Sequence, residues 1–243
     1  MIILGIDTAT ATASAALVED GKVISEETRP GHPQGRPLGL PGRGSHAQIL
    51  LPLVDTVLKR AGLSLYEVSA FAVSIGPGSF TGLRIGLSTV KGLAYGWNVP
   101  VIGVPTLFAF AALVTDWEGL ICPFLDARRK EAYAALFRKD GKMLRRLCED
   151  LVSSPEGIIR QIRSSSNGEP CLFIGDGTKG YGELIKSSLG DRGLLTLGDS
   201  YESVASAVAR LGEERLLKHE FDPPATLAPL YLRPSEAELK RGL

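Results

Sequence analysis

Cysteine is scarce in this chain of 243 residues: Cys122, Cys148 and Cys171 are the whole complement, odd in number, far apart and without a Cys-x-x-Cys pair. That excludes a disulfide framework and a thiolate metal site, and it fits a reducing compartment, so a cytoplasmic location is expected. Net charge is lacking as well. With 27 Lys plus Arg against 27 Asp plus Glu, the formal charge is +0. No global field draws the chain to nucleic acid or to an anionic membrane, and any such contact has to be local or supplied by a partner. Histidine occurs only at His32, His46 and His219, too scattered to read as a ligand set. The start of the chain reaches Asp7 without a basic region or a small-residue cleavage site, so it does not read as a signal peptide. Long apolar runs are missing too. The uncharged stretch from Gly92 to Thr115 is broken by Asn98, Pro100, Gly103 and Pro105, whereas a bilayer span needs about 20 apolar residues in succession. No membrane partner is expected. What remains is 44% apolar and 22% charged residues, a globular composition with length enough for one large domain or two lobes.

The chain opens with an apolar run, Ile2 to Ile6, that ends at Asp7. Two β-leaning segments follow, Thr10 to Glu19 and Lys22 to Thr28, joined by the hairpin dipeptide Asp20-Gly21. From Pro30 to Gly44 nine of fifteen residues are Gly or Pro, which predicts a mobile, expendable surface loop. His46 to Ala61 carries Ile49, Leu50, Leu53, Val54, Val57 and Leu58 at helical spacing, and Gly62 ends it. A strand over Ala70 to Ile75, a glycine turn, a helix from about Gly82 to Trp97, a strand over Val99 to Val104 and a helix over Thr106 to Val114 come next. Alternation of strand and helix predicts parallel pairing, and the hairpin adds antiparallel strands, so the sheet is mixed. After Gly119 come strands at Leu120 to Leu125, Ala132 to Phe137 and Met143 to Asp150, a helix at Pro155 to Arg163, and a strand at Cys171 to Gly175. Helices near Tyr181 to Ser188 and at Glu202 to Leu217 close the chain. The expectation is an α/β protein of two lobes, 1–115 and a smaller 116–243, each with a mixed sheet flanked by helices.

Three stretches invite chemistry. In Ser74 to Gly86 a strand enters a glycine turn that opens a helix, so Gly76, Gly78 and Ser79 stand where free N–H groups and the helix dipole converge. A tight structural turn and an anion or partner contact both fit, and the pattern is neither Gly-x-Gly-x-x-Gly nor a Lys-containing P-loop. Gly175-Asp176-Gly177-Thr178-Lys179-Gly180 is a second such turn, open to the same two readings. Between two strands, Asp126-Ala127-Arg128-Arg129-Lys130-Glu131 places three consecutive cations, either a solvated turn or a contact.

The run Gly76 to Gly86, with Ile6-Asp7-Thr8-Ala9-Thr10, His46 followed by Leu50-Leu51-Pro52, and Asp126 to Tyr133, resembles the TsaB family, also called YeaZ. The resemblance implies an actin-like, sugar-kinase-like fold and a role in making threonylcarbamoyladenosine in tRNA. It implies a TsaD-like catalytic paralogue as partner, a TsaE-like ATPase, tRNA reached through the complex, and a homodimer when the chain is alone. Asp7 then stands where actin-like ATPases and sugar kinases place a carboxylate for magnesium-bound phosphate. A turn-capping role fits Asp7 as well. ATP or ADP at the complex interface is the only cofactor implied. The paralogue's two metal-binding histidines correspond here to Thr106 and Phe110, so no metal and no catalysis by this chain alone are expected. The alternative is a small ATP-dependent phosphotransferase using Asp7 and both glycine turns.

The helix after the first glycine turn is unusual in its small residues, and each interior glycine costs about 1 kcal/mol against alanine. Close approach of a partner would offset that cost. The expected partner surface is therefore His46, Leu50, Val54, Leu83, Arg84, Gly86, Leu87, Val90 and Lys91 on these two helices.

Overall fold

The computed structural model describes residues 1–31, 45–196 and 203–234. Most of the Gly/Pro stretch, 32–44, lies outside them. β1 (Ile2–Asp7), β2 (Thr12–Glu19) and β3 (Lys22–Pro30) form an antiparallel meander. Its first turn is made by Asp20 at φ 49° and Gly21 at φ 74°, the left-handed pair that a two-residue hairpin requires. α1 (His46–Ala61) starts at Ser45, whose N–H donates to Gln48 Oε1 at 2.9 Å, and ends at Gly62 with φ 68°. β4 (Ala70–Gly76), α2 (Phe80–Trp97) and β5 (Val101–Pro105) follow, then α3 (Thr106–Ala112). The sheet order is β3-β2-β1-β4-β5, with β1, β4 and β5 parallel, so the mixed sheet expected from the sequence is present.

Alternation along the strands sorts the side chains onto two faces. Leu4, Ile6, Leu17, Phe71 and Val73 form one core with α1 and α2. Ile3, Gly5 and Ala72 face α6 (Val204–Leu217), near the far end of the chain. That face is built from small residues on both sides. A Cβ on Gly5 would lie 2.2 Å from the Ala205 carbonyl oxygen, and one on Gly212 would lie 2.5 Å from the Ala72 Cβ. α6 also clamps the first hairpin: Gly21 N–H donates to Glu213 Oε2 at 2.7 Å, and Arg210 Nε donates to the Gly21 carbonyl at 3.0 Å.

The second sheet has order β10-β7-β6-β11-β12, where β6 is Gly119–Arg128, β7 Glu131–Ala134, β10 Leu151–Ser153, β11 Cys171–Ile174 and β12 Gly193–Leu195. β8 (Phe137–Asp140) pairs with β6 and with β9 (Met143–Arg146). The expected strands 132–137 and 143–150 are thus each divided. Between the β7 and β8 pairings, β6 contains Cys122 and Pro123, and Pro123 has no N–H to donate to a ladder. α4 (Pro155–Ser165) and α5 (Gly177–Leu189) pack on Phe124 and Phe173 through Ile158, Ile162 and Ile185.

The described residues fall into two compact units, 1–109 with 203–230, and 110–196 with 231–234. This differs from the expected division at 115/116. The last helix completes the first unit instead of the second, because its Ala and Gly face fits the small face of β1 and β4.

Candidate functional site

The glycine turn after β4 closes on its own chain. Ser79 N–H donates to the Ala9 carbonyl at 2.6 Å, Gly82 N–H to Ser79 Oγ at 3.2 Å and Leu83 N–H to the Ser79 carbonyl at 2.8 Å. A Cβ on Gly78 would stand 2.4 Å from the Ala9 oxygen, and one on Gly76 would stand 2.4 Å from the Leu230 oxygen. Ser79 is the N-cap of α2, which begins at Phe80, two residues before the expected start. Asp7 is fully buried at the end of β1, and its Oδ1 accepts the Ala9 N–H at 3.4 Å. Between the two readings, Gly76, Gly78, Ser79 and Asp7 therefore fit a packed structural turn. A nucleotide phosphate does not fit there, because the donors and the space it needs are taken by Ala9.

The same loop explains two of the small residues of α2. A Cβ on Gly82 would lie 2.0 Å from the Thr8 carbonyl oxygen and one on Gly86 2.4 Å from Thr8 Oγ1, while Thr8 Oγ1 donates to the Gly82 carbonyl at 2.8 Å. Leu50, Val54, Leu83, Leu87 and Val90 lie in the core under α1 and α2. Six of the residues expected on the partner surface, Gly86 among them, therefore face inward and are corrected here. The reason is the helical period: the apolar stripe faces the sheet, and the surface is the opposite stripe. His46 and Lys91 are half-buried, and Arg84 is exposed with its guanidinium 3.8 Å from the centre of the Phe80 ring. That ring face accounts for a cation in the first turn without an added carboxylate.

The outward stripe of α2 is Thr81, Arg84, Ser88, Gly92 and Tyr95, all exposed, and α1 adds Leu51. Tyr95 is 92% exposed and Tyr66, whose ring centre is 6.0 Å from that of Trp97, is 86% exposed. A Cβ on Gly92 or Gly96 would meet nothing within 4 Å. Large apolar and aromatic groups thus surround small, open positions on one helix. Reading the polar complement of the apolar stripe would have found these residues in the sequence.

His46 begins α1 with its ring between Gly31 and Gly82. Burial pulls the imidazole pKa below its ordinary 6.5, with the Ala11 carbonyl acting the other way. The unfolded chain then takes up the proton first. The stability that neutral His46 contributes is fully present above about pH 6.5 and is lost as pH falls through its folded-state pKa. His46→Gln is expected to flatten the loss of Tm on acidification below 6.5, as measured by thermal melts across pH 5 to 8.

In the second unit, Gly175 (φ 119°) and Gly177 pack on β6, where a Cβ would lie 2.5 Å from Leu125 Cδ2 and 2.7 Å from the Phe124 oxygen respectively. Asp176 Oδ1 accepts the Asp126 N–H at 3.0 Å, and burial pushes its carboxyl pKa up. This glycine turn too is structural. At the tip of the β6–β7 hairpin, Arg128, Arg129 and Lys130 have φ of 65°, 53° and 60°. L residues cost about 1–2 kcal/mol each in that region. Arg233 ties down the base by hydrogen bonds to Glu131 and the Ala127 carbonyl, with its guanidinium 5.9 Å from the centre of the Tyr133 ring. Nothing in the sequence announces that tie.

Thr106 is buried, its Oγ1 accepting the Gly76 N–H at 3.1 Å, and Phe110 is buried too. Among the described residues no three His, Cys, Asp or Glu side chains are placed to hold a metal ion. No described helix is long and apolar enough to cross a membrane.

Two mixed sheets flanked by helices, with a β-meander leading into parallel strands, define an actin-like, sugar-kinase-like α/β protein. ROK hexokinase from Thermus thermophilus shares this fold at TM-score 0.50 and 12% identity, over 90% of this chain and 100% of that one. YeaZ from Pseudomonas aeruginosa matches at TM-score 0.76 and 26% identity, over 95% of this chain and 99% of that one. The family model for TsaD, tRNA N6-adenosine threonylcarbamoyltransferase, matches residues 43–240. The tRNA threonylcarbamoyladenosine biosynthesis protein TsaB of Bacillus subtilis is 30% identical over 99% of this chain and 97% of its own length. The chain belongs to the TsaB family, and its role lies in the biosynthesis of threonylcarbamoyladenosine in tRNA.

Proposed function

We propose that this chain is the non-catalytic partner of a TsaD-like catalytic paralogue, which it stabilises and activates, and that it pairs with a second copy of itself when alone. A TsaE-like ATPase joins the complex, tRNA reaches the chain through it, and the work is done in the cytoplasm. The observation that carries this reading is the exposed stripe Leu51, Thr81, Arg84, Ser88, Gly92 and Tyr95. Small positions flanked by an aromatic ring and an arginine suit close packing of a second helix, and Tyr and Arg are the residue types that most often anchor interfaces. The packed glycine turn speaks against the phosphotransferase alternative, since Gly78 and Ser79 hold Ala9 where a phosphate would have to lie.

Gly92→Arg and Tyr95→Asp are expected to abolish co-purification with the TsaD-like paralogue and to shift the isolated chain to monomer on size-exclusion chromatography. Melting temperatures should stay within a few degrees of wild type, because neither side chain enters the core. Undiminished pairing by folded variants would show that the surface lies elsewhere.

A further inference from the structure

We infer that the β6–β7 hairpin tip, Arg128-Arg129-Lys130, is a contact for RNA backbone phosphate. The inference rests on the proposed complex, which brings tRNA to this chain. All three residues are exposed and follow one another in the left-handed region. A two-residue hairpin loop needs that conformation at both central positions and is made most easily by Asn-Gly. Here Arg129 and Lys130 fill those positions, and Arg128 adds a third left-handed residue at the bulge beside Asp126. Turn-forming preference is thus set aside in favour of three adjacent like charges, an arrangement that hairpin stability alone does not call for.

The surroundings keep those charges available to an anion. Glu131, the acid next along the chain, is taken by Arg233, whose other hydrogen bond, to the Ala127 carbonyl, fixes the hairpin base. Asp126 accepts the Arg128 N–H at 2.8 Å, so it shapes the bulge. Asp176, the remaining acid that faces the tip, is drawn toward its neutral form by burial. Among the described residues, neither Arg128 nor Lys130 forms an ion pair with a carboxylate. The chain as a whole has formal charge +0, so this is a local concentration of charge. It is the sort of feature that positions a protein on a phosphate backbone without reading bases.

The test is the double variant Arg129→Asn with Lys130→Gly, which gives the turn its preferred residues while removing two charges. Binding of an unmodified tRNA transcript to the complex with the TsaD-like paralogue is followed by fluorescence anisotropy at several salt concentrations. The variant is expected to melt no lower than wild type and to keep its partner. It should bind tRNA about tenfold more weakly near 0.1 M salt, with the slope of log K against log salt reduced by about 1.4–1.8, the amount for two lost phosphate contacts. Arg128→Gln should reduce the slope by about half as much. An unchanged affinity and slope in an intact complex would overturn the inference while leaving the complex standing. Loss of the paralogue with tRNA binding kept would overturn it too, marking the tip as a protein contact. A wild-type chain that forms no complex, or a complex without affinity for tRNA, would overturn it; the first of these also removes the functional reading.

Discussion

Gly82→Ala is expected to cost about 3 kcal/mol or more in urea unfolding, whereas Gly92→Ala, ten residues along the same helix, is expected to add about 0.5–1 kcal/mol. The added methyl group on Gly82 would sit 2.0 Å from the Thr8 carbonyl oxygen, a backbone atom held by β1 and unable to swing aside. α2 would have to lift from the loop, breaking the Thr8 Oγ1 bond to the Gly82 carbonyl and the Ser79 N–H bond to Ala9. At Gly92 the new Cβ meets nothing within 4 Å, so only the helix preference of alanine and the reduced freedom of the unfolded chain remain. A loss of stability at Gly92 matching that at Gly82 would mean the helix face has been assigned wrongly.

Removing the chain beyond residue 201 is expected to leave the first unit without a cooperative transition. α6 lies on Ile3, Gly5 and Ala72, and its Glu213 and Arg210 hold the Gly21 turn. Without α6 that face of the sheet is open to water, and the truncated chain should bind a hydrophobic dye and lose near-ultraviolet circular dichroism. Gly212→Leu tests the same contact in the full chain, because its Cβ would fall 2.5 Å from that of Ala72. A loss of about 3 kcal/mol is expected from overpacking there. Cooperative, wild-type-like melting of the truncated first unit would restore the division of the chain near residue 115.

How much of this was legible beforehand depended on how local the determinant was. α1 is set by the spacing of Ile49, Leu53 and Val57 and by Gly62, all within sixteen neighbouring residues or just past them, and its bounds were readable. β7 and β8 were merged in the sequence because nothing around Ala135 marks a break. The break arises across the sheet, where β6 brings Pro123 between the two pairings. The candidate site shows the same split. The family signature pointed to the right helices, but the assignment of outward residues followed their apolar character, which is what buried Leu83, Leu87 and Val90.

The sequence by itself determined the α/β class, the mixed sheet, the hairpin at Asp20-Gly21, the absence of a thiolate pair and the membership of the TsaB family. All of these follow from periodicity, turn chemistry and motif spacing along the chain. Only the tertiary structure decided that α6 belongs with the first unit and that Gly76, Gly78, Gly82 and Gly86 accommodate the Thr8-Ala9 loop and Leu230. It also decided that Arg233 steadies a hairpin more than a hundred residues earlier. The physical reason is that a missing Cβ or a charged side chain has no meaning until its neighbour is known, and here the neighbours are 69 to 207 residues away in sequence.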